Sequence, residues 1–158
     1  MQRISRHQMF MEIARTVSKR STCLRLNVGA VVVVDNRVVS IGYCGPAPGD
    51  PHCADVGCKA PSGGGCNYSI HAEINAMEYV PQEMRLDLKI LYVTNSPCPA
   101  CVNYLLADAD TLMAVFYETP YRDTSSISML ILAGIKVYRI TPNGVITDHE
   151  TNQIVEVK

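Results

Sequence analysis

Lys89-Ile90-Leu91-Tyr92-Val93-Thr94-Asn95-Ser96-Pro97-Cys98-Pro99-Ala100-Cys101, residues 89–101, is the stretch on which the fold turns. Its first half, Lys89–Thr94, reads as a strand, rich in β-branched and aromatic residues. Its second half opens a helix, Pro99–Ala107. Pro99 suits a first helical turn, where its missing N–H costs nothing, and Ser96 is a candidate N-cap. The same alternation continues downstream with a strand at Leu112–Tyr117 and a helix at about Ser125–Ala133 that ends at Gly134. A further strand follows at Ile135–Ile140. Upstream, a helix is expected at His71–Val80. Strands alternating with helices predict an α/β protein with a mixed or mainly parallel sheet and helices packed on its faces.

Working outward, apolar positions Ile4, Met9, Ile13 and Val17 predict a helix from about Ile4 to Lys19. Gly29-Ala30-Val31-Val32-Val33-Val34 is a continuous β-branched run, the pattern of a strand covered on both faces. Asp35-Asn36 turns it into a second strand, Arg37 to Tyr43, so a hairpin is expected. Residues 44–67 are rich in Gly, Pro and Cys and show no periodicity, a long loop of the kind that is commonly functional. The tail Gly144–Lys158 alternates weakly and reads as a terminal strand or a surface segment. The whole of 1–158 reads as one domain with 44–67 as an insertion.

Composition narrows the partners. Hydrophobic residues make up 47% and charged ones 18% of the 158 residues, which describes a compact globule in which burial by self-association is expected. Net charge is −1 and Lys19-Arg20 is as long as a basic run gets, so the basic footprint of a nucleic-acid partner is missing. No apolar run approaches the ~18 residues of a membrane span. The start, MQRISRHQMF, lacks the apolar core of a signal peptide. The expected location is therefore cytoplasmic. Seven cysteines, an odd number, then point to metal ligation rather than to a disulfide framework.

His71-Ala72-Glu73 and Pro97-Cys98-Pro99-Ala100-Cys101 carry the chemistry. His71, Cys98 and Cys101 supply one imidazole and two thiolates, three ligands that leave the fourth tetrahedral position of Zn²⁺ open for water. Cys98 and Cys101 are three apart, so on a helical first turn both sulfurs face one way. The helix N-terminus favours the thiolate form. Glu73 is the proton shuttle. Two thiolates make the metal's water less acidic than an all-histidine site would, and a neighbouring carboxylate that accepts its proton becomes useful. The competing reading is a structural zinc knuckle with an incidental Glu.

Cys23, Cys53, Cys58 and Cys66 form a second possible Cys₄ set, with His52 as an alternate ligand. A structural Zn²⁺ there would tie the long loop to the end of the first helix. The alternative is a group of reduced thiols packed as small hydrophobes. Cys44 reads as a buried or site-lining thiol. Tyr121-Arg122, just past a strand end, are candidate substrate contacts, because ligands gather there and Arg binds phosphate through paired hydrogen bonds. A solvated loop Arg is the competing reading. Ser96 could cap its helix and also line the pocket. Arg25 is a further phosphate candidate, for substrate or effector.

H-x-E followed by P-C-x-x-C is the signature of zinc-dependent nucleobase deaminases. The chain as a whole resembles the deoxycytidylate (dCMP) deaminase family. The likeness runs from the first helix to about Ile140 and rests on four blocks: Val28-Gly29-Ala30-Val31, Gly42-Tyr43-Cys44-Gly45, Ile70 to Ala76, and Ser96 to Cys101. It implies a cytidine-deaminase-like three-layer fold, a central five-stranded mixed sheet flanked by helices with zinc held between two of them. It implies hydrolytic deamination of dCMP to dUMP, in which Glu73 moves the water's proton to ring N3 and then to the departing amine. It also implies homo-oligomers, often hexamers, activation by dCTP and inhibition by dTTP, with Mg²⁺ accompanying the triphosphate. Some members carry a second zinc in the loop before the His-Ala-Glu motif.

One departure bears on regulation. The family usually has Gly-Tyr-Asn-Gly where this chain has Gly42-Tyr43-Cys44-Gly45, a turn associated with effector binding. A thiol is a weak donor and acceptor beside an amide, so altered regulation is expected. Two other readings stand beside the resemblance. One is deamination of another cytosine nucleoside or nucleotide, a purine base or tRNA adenosine. The last conflicts with the missing basic face. The other is a non-enzymatic, zinc-stabilised nucleotide-binding protein, which would have no need of Glu73.

Overall fold

The computed structural model describes residues 3–60 and 66–157. Ser5 opens the first helix, α1 (Arg6–Ser18), through a capping box. Its Oγ accepts from the Gln8 N–H, and the Gln8 side chain accepts from the Ser5 N–H. The hairpin forms as expected from β1 (Gly29–Val34) and β2 (Arg37–Tyr43). Asp35 and Asn36 take φ of 46° and 60°, the consecutive left-handed pair that a two-residue hairpin turn requires. All six β1 residues are buried, because helices cover both faces of that strand.

A short helix, α2 (Cys53–Val56), interrupts the long loop; residues 61–65 of that loop lie outside the described residues. Beyond it come α3 (Ala72–Glu78), β3 (Lys89–Asn95), α4 (Pro99–Leu105), β4 (Leu112–Thr119), α5 (Ile127–Leu132), β5 (Lys136–Ile140) and β6 (Ile146–Asp148). The sheet order is β2-β1-β3-β4-β5-β6. β1 runs antiparallel to β2 and β3, while β3, β4 and β5 are parallel and β6 returns antiparallel.

The two faces bury different sets, as the period of two requires. Val31, Val33, Tyr92 and Phe116 pack under α1 against Phe10, Met11 and Ala14. Val32, Leu91, Val93 and Val115 face the other way, toward Ala76, Val102 and Leu130 of α3, α4 and α5. The result is three layers, one helix, the sheet, and three helices. Each large side chain buried there contributes about 1.5–3 kcal/mol. Lys89 is buried in this interior as well, its Nζ donating to the Arg85 carbonyl (2.8 Å) and to Thr111 Oγ1 (2.6 Å). Among the described residues no helix is long and apolar enough to cross a membrane.

The sheet has six strands where five were expected. After β5 the chain turns at Gly144, whose φ is 85°, and Ile146 returns to pair with Ile140. Ile146 is buried under the α1 face, which holds the added strand in place. The tail then doubles back, with Ile154 bridging to Thr147. Of the two readings the tail allowed, the strand is the one that forms; its alternation is weak because its short run buries only its first residue.

Two histidines pin this tail. The His7 ring bonds Tyr92 Oη through Nδ1 (2.8 Å), also meets the Val157 backbone, and stacks on Phe116 at 4.6 Å. His149 Nδ1 bonds Tyr117 Oη at 2.8 Å. Burial lowers both histidine pKa values, and Arg6 adds to the lowering at His7, while Asp148 opposes it at His149. The unfolded chain therefore binds protons first. The stability these histidines lend is complete above the ordinary histidine pKa of about 6.5 and is lost as pH falls from there toward their folded values. Urea midpoints at neutral pH and near pH 5.5 check this: the midpoint is expected to fall on acidification, and His7→Phe to reduce the fall.

Candidate functional site

The metal ligands sit where strands meet helices. β3 runs through Asn95 into α4, and Cys98 occupies the N-cap position of that helix with Pro99 at its start. Ser96 therefore does not cap it. The helix begins at Pro99 as expected, but the cap backbone belongs to Cys98, with φ −75° and ψ 167°. His71 holds the equivalent N-cap place on α3. In both helices the N-cap side chain is directed at the other helix.

His71 Nδ1 lies 3.1 Å from Cys101 Sγ and 3.3 Å from Cys98 Sγ. Among the described residues these three form the only group of at least three potential ligands, with donor atoms within 4.8 Å of one another. Zinc bond lengths at a tetrahedral angle would set the nitrogen–sulfur separation at about 3.5 Å, so the donor set fits Zn²⁺. The Cys66 backbone also hydrogen-bonds His71. A ligating histidine commonly uses its second nitrogen in this way, which fixes the ring.

The three donors perturb one another strongly. Hydrogen bonding from Cys101, opposed by burial and helped by His71, brings Cys98 down to about 4. Cys101 is held well above the usual thiol range by its bond to Cys98 and by burial. Ligation by both sulfurs would require the thiols to give up their protons as the cation binds. Hydrogen bonding to Cys98 raises His71 to about 9. Glu73 is 4% exposed, and burial pushes its carboxyl up to about 7 even though it accepts a bond from Cys101. A carboxyl in that range can both take up and release a proton at neutral pH.

These residues open on a cavity of about 470 Å³, large enough for a nucleotide. Ser96, Tyr121, Arg122 and Arg25 all line it together with His71, Glu73 and Cys98. Asn95 and Asn67 line it too. Sequence reasoning missed both, although Asn95 ends a strand immediately before the Cys motif, where a polar residue faces the strand's carboxyl end.

The Gly42-Tyr43-Cys44-Gly45 block divides between cavity and support. Cys44 lines the cavity, and burial, with Glu73 nearby, pushes its thiol up to about 12. The others hold α3. Gly45 and Ile70 exchange backbone hydrogen bonds, and Asn75 Nδ2 donates to the Tyr43 carbonyl at 3.0 Å. A Cβ on Gly42 would lie 2.3 Å from the Ala76 nitrogen and 2.4 Å from the Ala72 oxygen, so only glycine admits this approach of strand and helix. Gly42→Ala is expected to cost about 1–3 kcal/mol or more, since both obstructing atoms are backbone. The urea midpoint should fall, and turnover with it, because α3 carries His71 and Glu73.

The second cysteine set is not gathered in the same way. Cys23 and Cys66 line the cavity, Cys53 is buried at the start of α2 and Cys58 is exposed. Among the described residues Cys23, Cys53, Cys58 and Cys66 do not form a group within ligand distance. His52 Nδ1 instead meets Thr22 Oγ1 at 3.2 Å, a contact that joins the loop to the segment after α1 beside Cys23.

Residues 4–116 match the family described as the cytidine and deoxycytidylate deaminase zinc-binding region. The chain is 35% identical over 150 residues to ComE operon protein 2 of Bacillus subtilis, covering 94% of this chain and 78% of that one. It is 33% identical over 141 residues to the deoxycytidylate deaminase of Schizosaccharomyces pombe, covering 84% of this chain and 43% of the relative. Among solved structures it is similar to the dCMP deaminase of cyanophage S-TIM5 in complex with dCMP and dUMP. The TM-score is 0.76 at 28% identity, over 89% of this chain and all of that one.

Proposed function

The chain belongs to the cytidine and deoxycytidylate deaminase family, and from that premise we propose that it hydrolyses dCMP to dUMP and ammonia. The observation that carries the chemistry is the convergence of His71, Cys98 and Cys101 beside a buried Glu73. Relatives named deoxycytidylate deaminase and a solved complex with dCMP and dUMP support the substrate.

Zn²⁺ bound by the three ligands would lower the pKa of a coordinated water and leave it room to react. His71 is oriented for this by the Cys66 backbone, and Cys98 and Cys101 by the first turn of α4. Glu73 accepts the attacking water's proton and delivers it to N3 of the pyrimidine, which makes C4 electrophilic. The water's oxygen adds to C4. Glu73 then carries the second proton to N4, the C4–N4 bond breaks, and ammonia leaves.

The finer parts of the proposal concern the nucleotide and its regulation. Arg122, with Tyr121 and Ser96, is assigned to the substrate side of the cavity, with Arg122 on the 5′-phosphate; Arg25 serves substrate or effector. Residues 1–158 act as one cytoplasmic deaminase unit and assemble as homo-oligomers, with the hexamer as the expected form. dCTP with Mg²⁺ activates and dTTP inhibits, in a form altered by Cys44 and its neighbours Gly42, Tyr43 and Gly45. A second Zn²⁺ on Cys23, Cys53, Cys58 and Cys66, or with His52, rests on the family resemblance and carries no step of the reaction.

The test is ammonia release from dCMP, CMP, deoxycytidine and dCTP, each with and without dCTP and dTTP as effectors. dCMP is expected to have the highest kcat/KM. Preference for deoxycytidine would overturn the nucleotide reading, and unchanged kinetics across the effector titration would overturn the regulatory one.

A further inference from the structure

Ser96 is 2% exposed and makes two hydrogen bonds at the end of β4, one to its last residue and one to the chain beyond it. Its backbone N–H donates to the Thr119 carbonyl at 2.9 Å, and its Oγ accepts from the Tyr121 N–H at 2.7 Å. Two residues beyond Ser96 is Cys98, a metal ligand at the start of α4. One residue beyond Tyr121 is Arg122, whose guanidinium carbon sits 5.6 Å from the Tyr121 ring centroid. That separation is within cation–π range. A continuous tether thus runs from metal ligand to Ser96, to Tyr121, to Arg122, and all four line one cavity.

The tether matters because this segment lies between β4 and α5, outside regular secondary structure. Asp123, the next residue and also on the cavity wall, is engaged by the Ser125 N–H (3.0 Å) and Oγ (2.6 Å). Those bonds hold the carboxylate, still ionised, to its own loop, so an incoming anion is favoured only where Arg122 is set to meet it. A guanidinium recognises phosphate only when its fork is placed to within about 0.5 Å. Neither Tyr121 nor Arg122 reaches the metal ligands directly by any described bond. Ser96 connects the two parts.

We propose that Ser96 is a positioning residue that sets the Arg122 segment against the metal ligands and so produces selectivity for a 5′-phosphorylated substrate. This rests on the dCMP reading above. It also replaces the helix-capping role that sequence pattern assigned to Ser96: its Oγ is committed to Tyr121. Ser96→Ala leaves the Tyr121 N–H without its acceptor and frees the segment to shift.

The experiment compares wild type, Ser96→Ala and Ser96→Thr on dCMP and on deoxycytidine, with zinc content measured on each. Losing one such bond is worth about ten-fold. The ratio of kcat/KM for dCMP over deoxycytidine is expected to fall about that much in Ser96→Ala, mainly through the KM for dCMP, and to recover in Ser96→Thr. Equal losses on both substrates would make Ser96 a direct contact to the base or a purely structural residue, and overturn the inference. Amide exchange at Tyr121 tests the tether without substrate. Its exchange is expected to quicken in Ser96→Ala while that of Val93 stays slow, and an unaltered Tyr121 amide overturns the inference. If wild-type protein does not deaminate dCMP at all, the substrate reading fails, and with it the selectivity role; Tyr121 exchange then judges the tether alone.

Discussion

Glu73→Gln is expected to lower kcat for dCMP by about 10³–10⁴ while zinc stays bound at the wild-type stoichiometry. Glutamine keeps the shape of the side chain, so α3 and its approach to β2 through Gly42 are retained. What is lost is a group that takes and gives a proton. Burial raises the Glu73 carboxyl to about 7, close enough to neutrality for both transfers to proceed. Stability should hold or rise, because burying a carboxylate is costlier than burying an amide. The measurement pairs single-turnover ammonia release with metal analysis of the same sample. Activity near wild type would remove Glu73 from the mechanism. Loss of both metal and activity would make it a structural partner of Cys101 instead.

How far the site could be read from sequence depended on whether local pattern or long-range packing decides a position. His71, Glu73, Cys98 and Cys101 were legible because each motif opens a helix, and helix starts have strong local rules. β1 was legible for the opposite reason: six consecutive buried residues leave no alternation to misread. Ser96 was misread as a cap since Ser two or three residues before a helix follows the same local rule. Its partner, Tyr121, is distant in sequence, and no local rule reports a bond across that separation. The tail left two readings open, a terminal strand or a surface segment, because β6 is held by Ile140 and by the α1 face rather than by its own periodicity. The Gly42-Tyr43-Cys44-Gly45 block carries two duties that one motif cannot reveal. Cys44 faces the cavity, while Gly42 and Gly45 hold the helix bearing the ligands. Substitution of Gly42 should therefore impair catalysis by displacing α3, whereas Gly45, where a Cβ would meet nothing closer than 3.5 Å, tolerates a small side chain and Cys44→Asn tests the cavity itself.

His71→Ala is expected to remove the catalytic zinc and, with it, at least about 10³ of kcat/KM. Of the three donors, His71 is the only one from α3; Cys98 and Cys101 come from a single turn of α4. Without His71 the site keeps two thiols on one helix, and a two-ligand site cannot hold zinc as tightly as the closed set does. Glu73 does not take its place, since its carboxyl is not gathered with both Cys98 and Cys101 within ligand distance. Metal stoichiometry carries the sharper test. If the chain binds a single zinc, His71→Ala falls from one ion per chain to none. If Cys23, Cys53, Cys58 and Cys66 hold another, the variant keeps one ion and loses activity regardless, and Cys53→Ser gives the converse, with one ion lost and catalysis partly preserved. Zinc retained at full stoichiometry in His71→Ala would overturn the ligand assignment, because Cys98 and Cys101 would then need a third donor that the described residues do not bring within reach.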